Sequence, residues 1–309
     1  MFSFRTLLAA PPLGAQIIRK CPPSWMPYLK LLRIDLDAGW WIPAFPAFWG
    51  MALALREGDP LWMVPVWCVL FLLGAIFMHG AGSTLNDMLD ENFDRKVSRT
   101  RSRPLPSGMV SRKQAALFLL FQLFVSLCIL LTFNTTTIWT AIAFLPLVAF
   151  YPLAKRFTWW PQAVLGLTFM MGSVIGWTAV RGSLDLPAIL LYAGCVFWPL
   201  HFDTIYAHQD REDDIFAGVK SSALRLGEKT KPALLVFDIL MVGFLAAAGA
   251  LAGMGWAFWP VLALVFAHFV WQLWALDINN SERCLYLFST NWIIGWLVLA
   301  AIIAGQITA

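Results

Sequence analysis

Charged side chains are scarce in this 309-residue chain: Lys, Arg, Asp and Glu make up only 13% of it, against roughly 25% in soluble domains. With 60% hydrophobic residues and a mean hydropathy of +0.69, that scarcity excludes an ordinary soluble domain. Acids are missing altogether before Asp35. Cysteine is sparse, and Cys21, Cys68, Cys128, Cys195 and Cys284 form neither a CxxC pair nor a ligand cluster. A disulfide scaffold and a zinc or dithiol centre are excluded, which leaves reduced packing residues. The alternating polarity of barrel strands is absent too, so a transmembrane barrel is excluded.

What is present is long apolar runs. A membrane span needs about 20 mostly apolar residues. Nine runs qualify: 39–55, 61–78 (continuing toward Asn86), 115–133, 135–153, 161–180, 186–206, 232–252, 255–276 and 285–303. Helices satisfy their own backbone groups in lipid, so the expected fold is an all-α, polytopic membrane bundle of nine transmembrane helices. Residues 1–38 read as a cytoplasmic leader lying partly on the membrane, and 39–309 as one transmembrane domain. With the N-terminus inside, every one of the 22 Lys and Arg except Arg56 and Arg181 falls on the cytoplasmic side. This fits the positive-inside rule and puts the C-terminus outside. The formal charge of +4 thus reports orientation in a lipid bilayer rather than a nucleic-acid partner.

The two longest hydrophilic stretches, 86–113 and 207–231, carry the chemistry. Asn86, Asp87, Asp90 and Asp94 fall within an arc of about 100° on a helix. Asp203, Tyr206, Asp210 and Asp214 fall within about 80°, with Asp213 at the edge. Acids packed this closely raise one another's pKa, and a hard cation offsets the repulsion. Mg²⁺ takes few carboxylates and completes its shell with water and substrate phosphate. Two such clusters suit a pair of Mg²⁺ ions bridged by a diphosphate. Lys96, Arg99, Arg101 and Arg103 follow the first cluster and Lys220 and Arg225 the second, where they suit phosphate. The bland alternative is a solvated loop at each membrane edge; two phased clusters, each trailed by bases, favour a site. A polar site ending a greasy helix fits a half-greasy substrate such as a polyprenyl diphosphate.

Those same residues resemble a known family. "NDMLDENFDRKVSRTRSRPLPSG" is similar to the first Asp-rich signature of the UbiA superfamily of intramembrane prenyltransferases. "DTIYAHQDREDDIFAGVKSSALRLG" and "YPLAKRFTWWPQAVLG" resemble segments of its 4-hydroxybenzoate polyprenyltransferase branch. The resemblance implies a central cavity open to the membrane. It implies Asn86, Asp90, Asp94, Asp210 and Asp214 as the Mg²⁺ and diphosphate shell, with Asp87 and Asp213 in support. It also implies Arg156 at the reacting groups, and Arg33, Lys96, Arg103, Lys155 and Lys220 at substrate. Two departures stand out: "RIDLDAGWW" has Leu36, Asp37 and Ala38 where a basic residue, Pro and Ile are frequent, and His79 stands where Arg is frequent.

The implied reaction is electrophilic aromatic substitution on 4-hydroxybenzoate, ortho to its hydroxyl, with release of diphosphate, as in ubiquinone biosynthesis. Tyr151 and Tyr206 either shield the allylic cation through their π faces or simply pack. His208 reads either as a base or as an ordinary polar residue at a membrane edge. The ring proton goes to an Asp of the second cluster or to diphosphate. Other acceptors (homogentisate, naphthoate, haem, chlorophyllide) stay open, as does a transporter. The expected location is the bacterial inner membrane, with the mitochondrial inner membrane as the alternative.

Overall fold

A computed structural model describes residues 13–36, 41–95, 100–209, 211 and 220–309. In chain order the helices are α1 (Leu13–Lys20), α2 (Met26–Leu31), α3 (Phe45–Ala54), α4 (Val64–Asp94), α5 (Arg112–Leu130), α6 (Thr135–Phe150), α7 (Ala154–Phe157) and α8 (Pro161–Phe169). They continue as α9 (Gly172–Arg181), α10 (Leu186–Cys195), α11 (Phe197–Ala207), α12 (Ser222–Leu226), α13 (Thr230–Leu251), α14 (Phe258–Ala275), α15 (Ser281–Ser289) and α16 (Asn291–Ile307). No strand occurs among the described residues.

Eight stretches are long and apolar enough to cross a membrane, with mean hydropathies between 1.4 and 2.3. Nine spans are expected from the sequence; where the first should lie, the described residues hold a shorter apolar helix, Ile42–Ala54. It stops because Leu55 turns extended, with ψ 143°, into a turn closed by the Arg56 N–H donating to Asp59 Oδ2 at 2.7 Å. Local chemistry sets other ends. Asn134 caps α6 by accepting from the Thr137 N–H at 3.0 Å, and Asn280 caps α15 through the Arg283 N–H at 2.9 Å. Such caps satisfy N–H groups that the first helical turn leaves open.

The chain forms two compact units, 1–42 with 73–128, and 43–72 with 129–309; the division falls inside α4. In the first unit Leu31, Leu105, Val110 and Ala115 make the core, with Tyr28, Met88 and Phe118 packed on it. Leu105 reaches that core because "RPLPSG" folds into a tight turn. Its Gly108 N–H donates to the Leu105 carbonyl at 3.0 Å, with Gly108 at φ +78°, a conformation that suits glycine.

In the second unit α3 lies directly against α9. A Cβ on Gly50 would collide with the Ser173 carbonyl, and one on Gly176 with the Ala47 carbonyl. Small residues permit such close approach where lipid leaves packing as the main attraction between helices. Trp49, Trp177 and Trp198 are buried, whereas Trp62, Trp256 and Trp274 are widely exposed. Core packing therefore accounts for the first group. The buried rings keep partners for their N–H groups: Trp49 donates to the Gly295 carbonyl at 2.9 Å and Trp198 to Asn291 Oδ1 at 3.1 Å. All five cysteines are free thiols.

Candidate active site

The acidic face of α4 is built as its spacing requires. The helix runs unbroken to Asp94, so Asn86, Asp87, Asp90 and Asp94 share one face. Asp87, Asp90 and Asp94 are nearly inaccessible, at 0%, 5% and 3% exposure. Burying ionised carboxylates is costly unless partners compensate, and two guanidiniums do so. Arg33 Nη2 donates to Asp87 Oδ1 at 2.6 Å. Arg103 Nη1 donates to the same oxygen at 3.1 Å and to Asp94 Oδ2 at 2.9 Å. The turn that seats Leu105 thereby also delivers Arg103. Thr100 Oγ1 donates to the Asp94 carbonyl at 3.0 Å, fastening the returning chain to the helix end.

Arg33 is the one non-glycine residue with a positive φ, +59°, among those described. L-residues pay roughly 1–2 kcal/mol in that left-handed region, so the ion pair with Asp87 is made from a strained backbone. The cluster stays open all the same. Asp87 Oδ2 is buried without a hydrogen-bond partner. Burial also pushes the Asp94 carboxyl above its usual range, with Arg103 opposing the shift.

That chemistry suits a hard divalent cation: the donors are all oxygen, three buried carboxylates stand on one helix face, and one oxygen is orphaned. No group of three or more His, Cys, Asp or Glu is arranged to hold a metal by itself among the described residues. The reason is geometric, since acids four residues apart on a helix step about 6 Å along its axis. An ion there takes one or two carboxylates from α4 and completes its shell elsewhere, as Mg²⁺ commonly does.

In the second unit α11 carries Asp203 and Tyr206, and the Tyr206 ring packs on Phe288 at 4.7 Å. Asp210, Asp213 and Asp214, with Lys96 and Arg99, lie outside the described residues, as does the side chain of Lys155. Chain on either side of 212–219 is tied down. Thr204 and Ser222 share a hydrogen bond at 2.6 Å, and His208 Nε2 lies 2.9 Å from Thr230 Oγ1. Thr230 already donates to the Gly227 carbonyl at 2.7 Å, so His208 must be the donor and its Nε2 carries the proton. Burial lowers the His208 pKa to about 4, helped by Arg211. This places His208 as a neutral structural tie.

Lys220 meets the third motif: its Nζ donates to the Phe157 carbonyl at 3.3 Å and lies 5.7 Å above the Trp159 ring. Arg156, exposed on α7, is next in sequence to that carbonyl. Tyr151 packs edge-on against Phe169 at 6.0 Å. Sequence reasoning names Arg33 and Arg103 but not their pairing with Asp87 and Asp94, and it misses Thr100. The turn chemistry of "RPLPSG" is the one signal that points to Arg103's return.

A family model described as the UbiA prenyltransferase family matches residues 44–294. The chain belongs to the UbiA family. A human protein named "4-hydroxybenzoate polyprenyltransferase, mitochondrial" is 42% identical over 297 residues, covering 95% of this chain and 79% of that protein. A Lithospermum erythrorhizon protein named "4-hydroxybenzoate geranyltransferase 2" is 40% identical, covering 92% and 95%. Among solved structures, a UbiA homolog from Archaeoglobus fulgidus bound to GPP and Mg²⁺ superposes with a TM-score of 0.70 at 21% identity, covering 91% of this chain and 99% of that one. That last likeness carries the UbiA fold alone.

Proposed function

We infer that this UbiA-family protein transfers a polyprenyl group from polyprenyl diphosphate to 4-hydroxybenzoate, at the ring carbon ortho to the hydroxyl, releasing diphosphate. The relatives' names, at 40–42% identity over nearly the whole chain, support the acceptor and the donor class. The observation that carries the chemistry is the buried acidic face of α4, where Asp87 and Asp94 pair with Arg33 and Arg103 and Asp87 Oδ2 is left without a hydrogen-bond partner.

The residues that would hold Mg²⁺ are Asn86, Asp90 and Asp94, joined by Asp210, Asp213 and Asp214 of the second motif. A pair of ions there supplies positive charge to the departing diphosphate. Asp87 holds Arg33 and Arg103 beside the ligating acids. Arg103, reaching both Asp87 and Asp94, fixes the terminal carboxylate and leaves N–H groups for phosphate. Arg156, Lys155, Lys220 and Lys96 supply further cationic contacts to diphosphate or to the acceptor's carboxylate. As the C1–O bond breaks, the bonding pair leaves with the diphosphate. The ring carbon ortho to the phenol then donates a pair to C1, and Tyr151 or Tyr206 shields the cation. The ring proton passes to a carboxylate of the second motif or to diphosphate. The protein resides in an inner membrane, bacterial or mitochondrial, with the site on the side where Lys and Arg concentrate.

The test is incorporation of labelled prenyl diphosphate into 4-hydroxybenzoate by purified protein, with and without EDTA. Product that forms only with a divalent cation supports the reading. Metal-independent product overturns the metal assignment, and no product across a panel of aromatic acids overturns the activity.

A further inference from the structure

The second unit contains a buried polar network that the reaction above does not use. His201 lies on α11, two residues before Asp203, and is fully buried; Asp238 on α13 is 1% exposed. His201 Nδ1 is 2.7 Å from Asp238 Oδ1, and its Nε2 is 2.9 Å from Gln272 Oε1 on α14. Gln272 Nε2 donates to the Leu287 carbonyl at 3.1 Å and to Thr290 Oγ1 at 2.8 Å. Thr290 in turn donates to the Leu287 carbonyl at 2.7 Å.

These contacts fix the hydrogens. A carbonyl accepts only, so the amide nitrogen of Gln272 must face Leu287. Its Oε1 must therefore face His201, and His201 Nε2 must carry a proton. The 2.7 Å approach of Nδ1 to a carboxyl oxygen then requires one further proton, on the ring or on the acid. In both forms the pair has no net charge, which suits the interior of a membrane span.

We propose that His201 is a positioning residue for the second acidic motif: pinned by Gln272 and Asp238, it sets the rotation of α11 and hence of Asp203 and Tyr206. This rests on the proposed function for its readout. The same helix is held on either side of His201 by Trp198 donating to Asn291 and by the hydrogen bond between Thr204 and Ser222. His201 is the one of these three held by two separate helices, α13 and α14.

The test compares Asp238→Asn with Asp238→Leu in full-length detergent-purified protein, reading kcat, KM for prenyl diphosphate and Tm. An Asn amide can donate to Nδ1 as the shared proton does, so this variant stays within about twofold of wild type in KM. Leucine removes the carboxyl 2.7 Å from Nδ1, and KM rises about tenfold, the effect of one lost buried polar contact. A purely structural role would lower Tm and the active fraction without moving KM. If Asp238→Leu does not fold, Thr290→Val, which removes one of Gln272's two acceptors, should raise KM about threefold. Unchanged KM in a folded Leu or Val variant overturns the proposal, as does an Asn variant as impaired as the Leu one. Absence of turnover in the wild type instead overturns the functional reading itself.

Discussion

The acid cluster of α4 and the His201 network are both buried polar assemblies on apolar helices, but they neutralise charge differently. At α4 two guanidiniums pair with Asp87 and Asp94. In the network a single proton between His201 and Asp238 leaves no net charge. Each has an acid oxygen without a hydrogen-bond partner, Asp87 Oδ2 in one and Asp238 Oδ2, together with its Oδ1, in the other. The difference is what that oxygen can do. Beside two further buried acids it belongs to an all-oxygen set, which a metal ion can use. In a neutral pair it offers a cation little, and the assembly holds helices in place instead. Buried polarity alone therefore does not mark a site; several acids on one face with an oxygen left over do.

The sharpest way to break this comparison is to remove an acid from the proposed metal shell. Asp90→Ala, and likewise Asp210→Ala, should lower kcat by about three orders of magnitude, as expected when charge stabilisation of a leaving group is lost. Elution volume on gel filtration should be unchanged. Near wild-type turnover in either variant would remove that residue from the metal shell. Arg103→Leu comes next. It strands Asp87 and Asp94 with one fewer partner, and breaking a buried pair costs roughly 3–5 kcal/mol. Arg103 is about a quarter exposed, at 24%, so the expected loss is nearer about 2–3 kcal/mol. Chemical denaturation followed by Trp fluorescence would measure it, and a loss under about 1 kcal/mol would class the bridge with ordinary surface pairs.

Much of this was legible in the sequence because lipid imposes a simple rule on span length. The run 61–78, expected to continue toward Asn86, is part of one helix to Asp94, and the acids' 3.6-residue phasing survives intact. What hydropathy does not encode is who meets whom across the fold. Arg33 and Asp87 are 54 residues apart, and His201 and Gln272 are 71 apart. No local pattern pairs them. Nor does composition distinguish Trp62 at the surface from Trp198 in the core, since both are apolar rings with one N–H to satisfy. The first expected span, 39–55, ends within a residue of the observed helix, Ile42–Ala54, where the turn of Arg56 and Asp59 takes over.

Two smaller effects sharpen the account of the first unit. Arg33→Ala and Arg33→Gly both delete the ion pair with Asp87, but only glycine relaxes at φ +59°. The glycine variant should be more stable than the alanine one by about 1 kcal/mol, and equal stabilities would show that the backbone there is unstrained.

Asp35, just after α2, gives the smallest effect and one of unusual sign. Burial raises its carboxyl pKa, with the Arg33 charge opposing, and its Oδ1 is buried without a hydrogen-bond partner. A raised folded-state pKa means that the folded protein holds this proton more tightly than the unfolded chain does. Its contribution is complete below the ordinary value of 3.8 and is lost as pH rises through the elevated one. At neutral pH the ionised group is therefore a net cost, and Asp35→Asn should raise Tm by about one or two degrees. The gain should shrink as pH is lowered toward 4, where wild type regains its proton. A variant less stable than wild type at pH 7.5 would show instead that the Arg33 charge outweighs burial, making Asp35 a second acid held by the guanidinium that steadies Asp87.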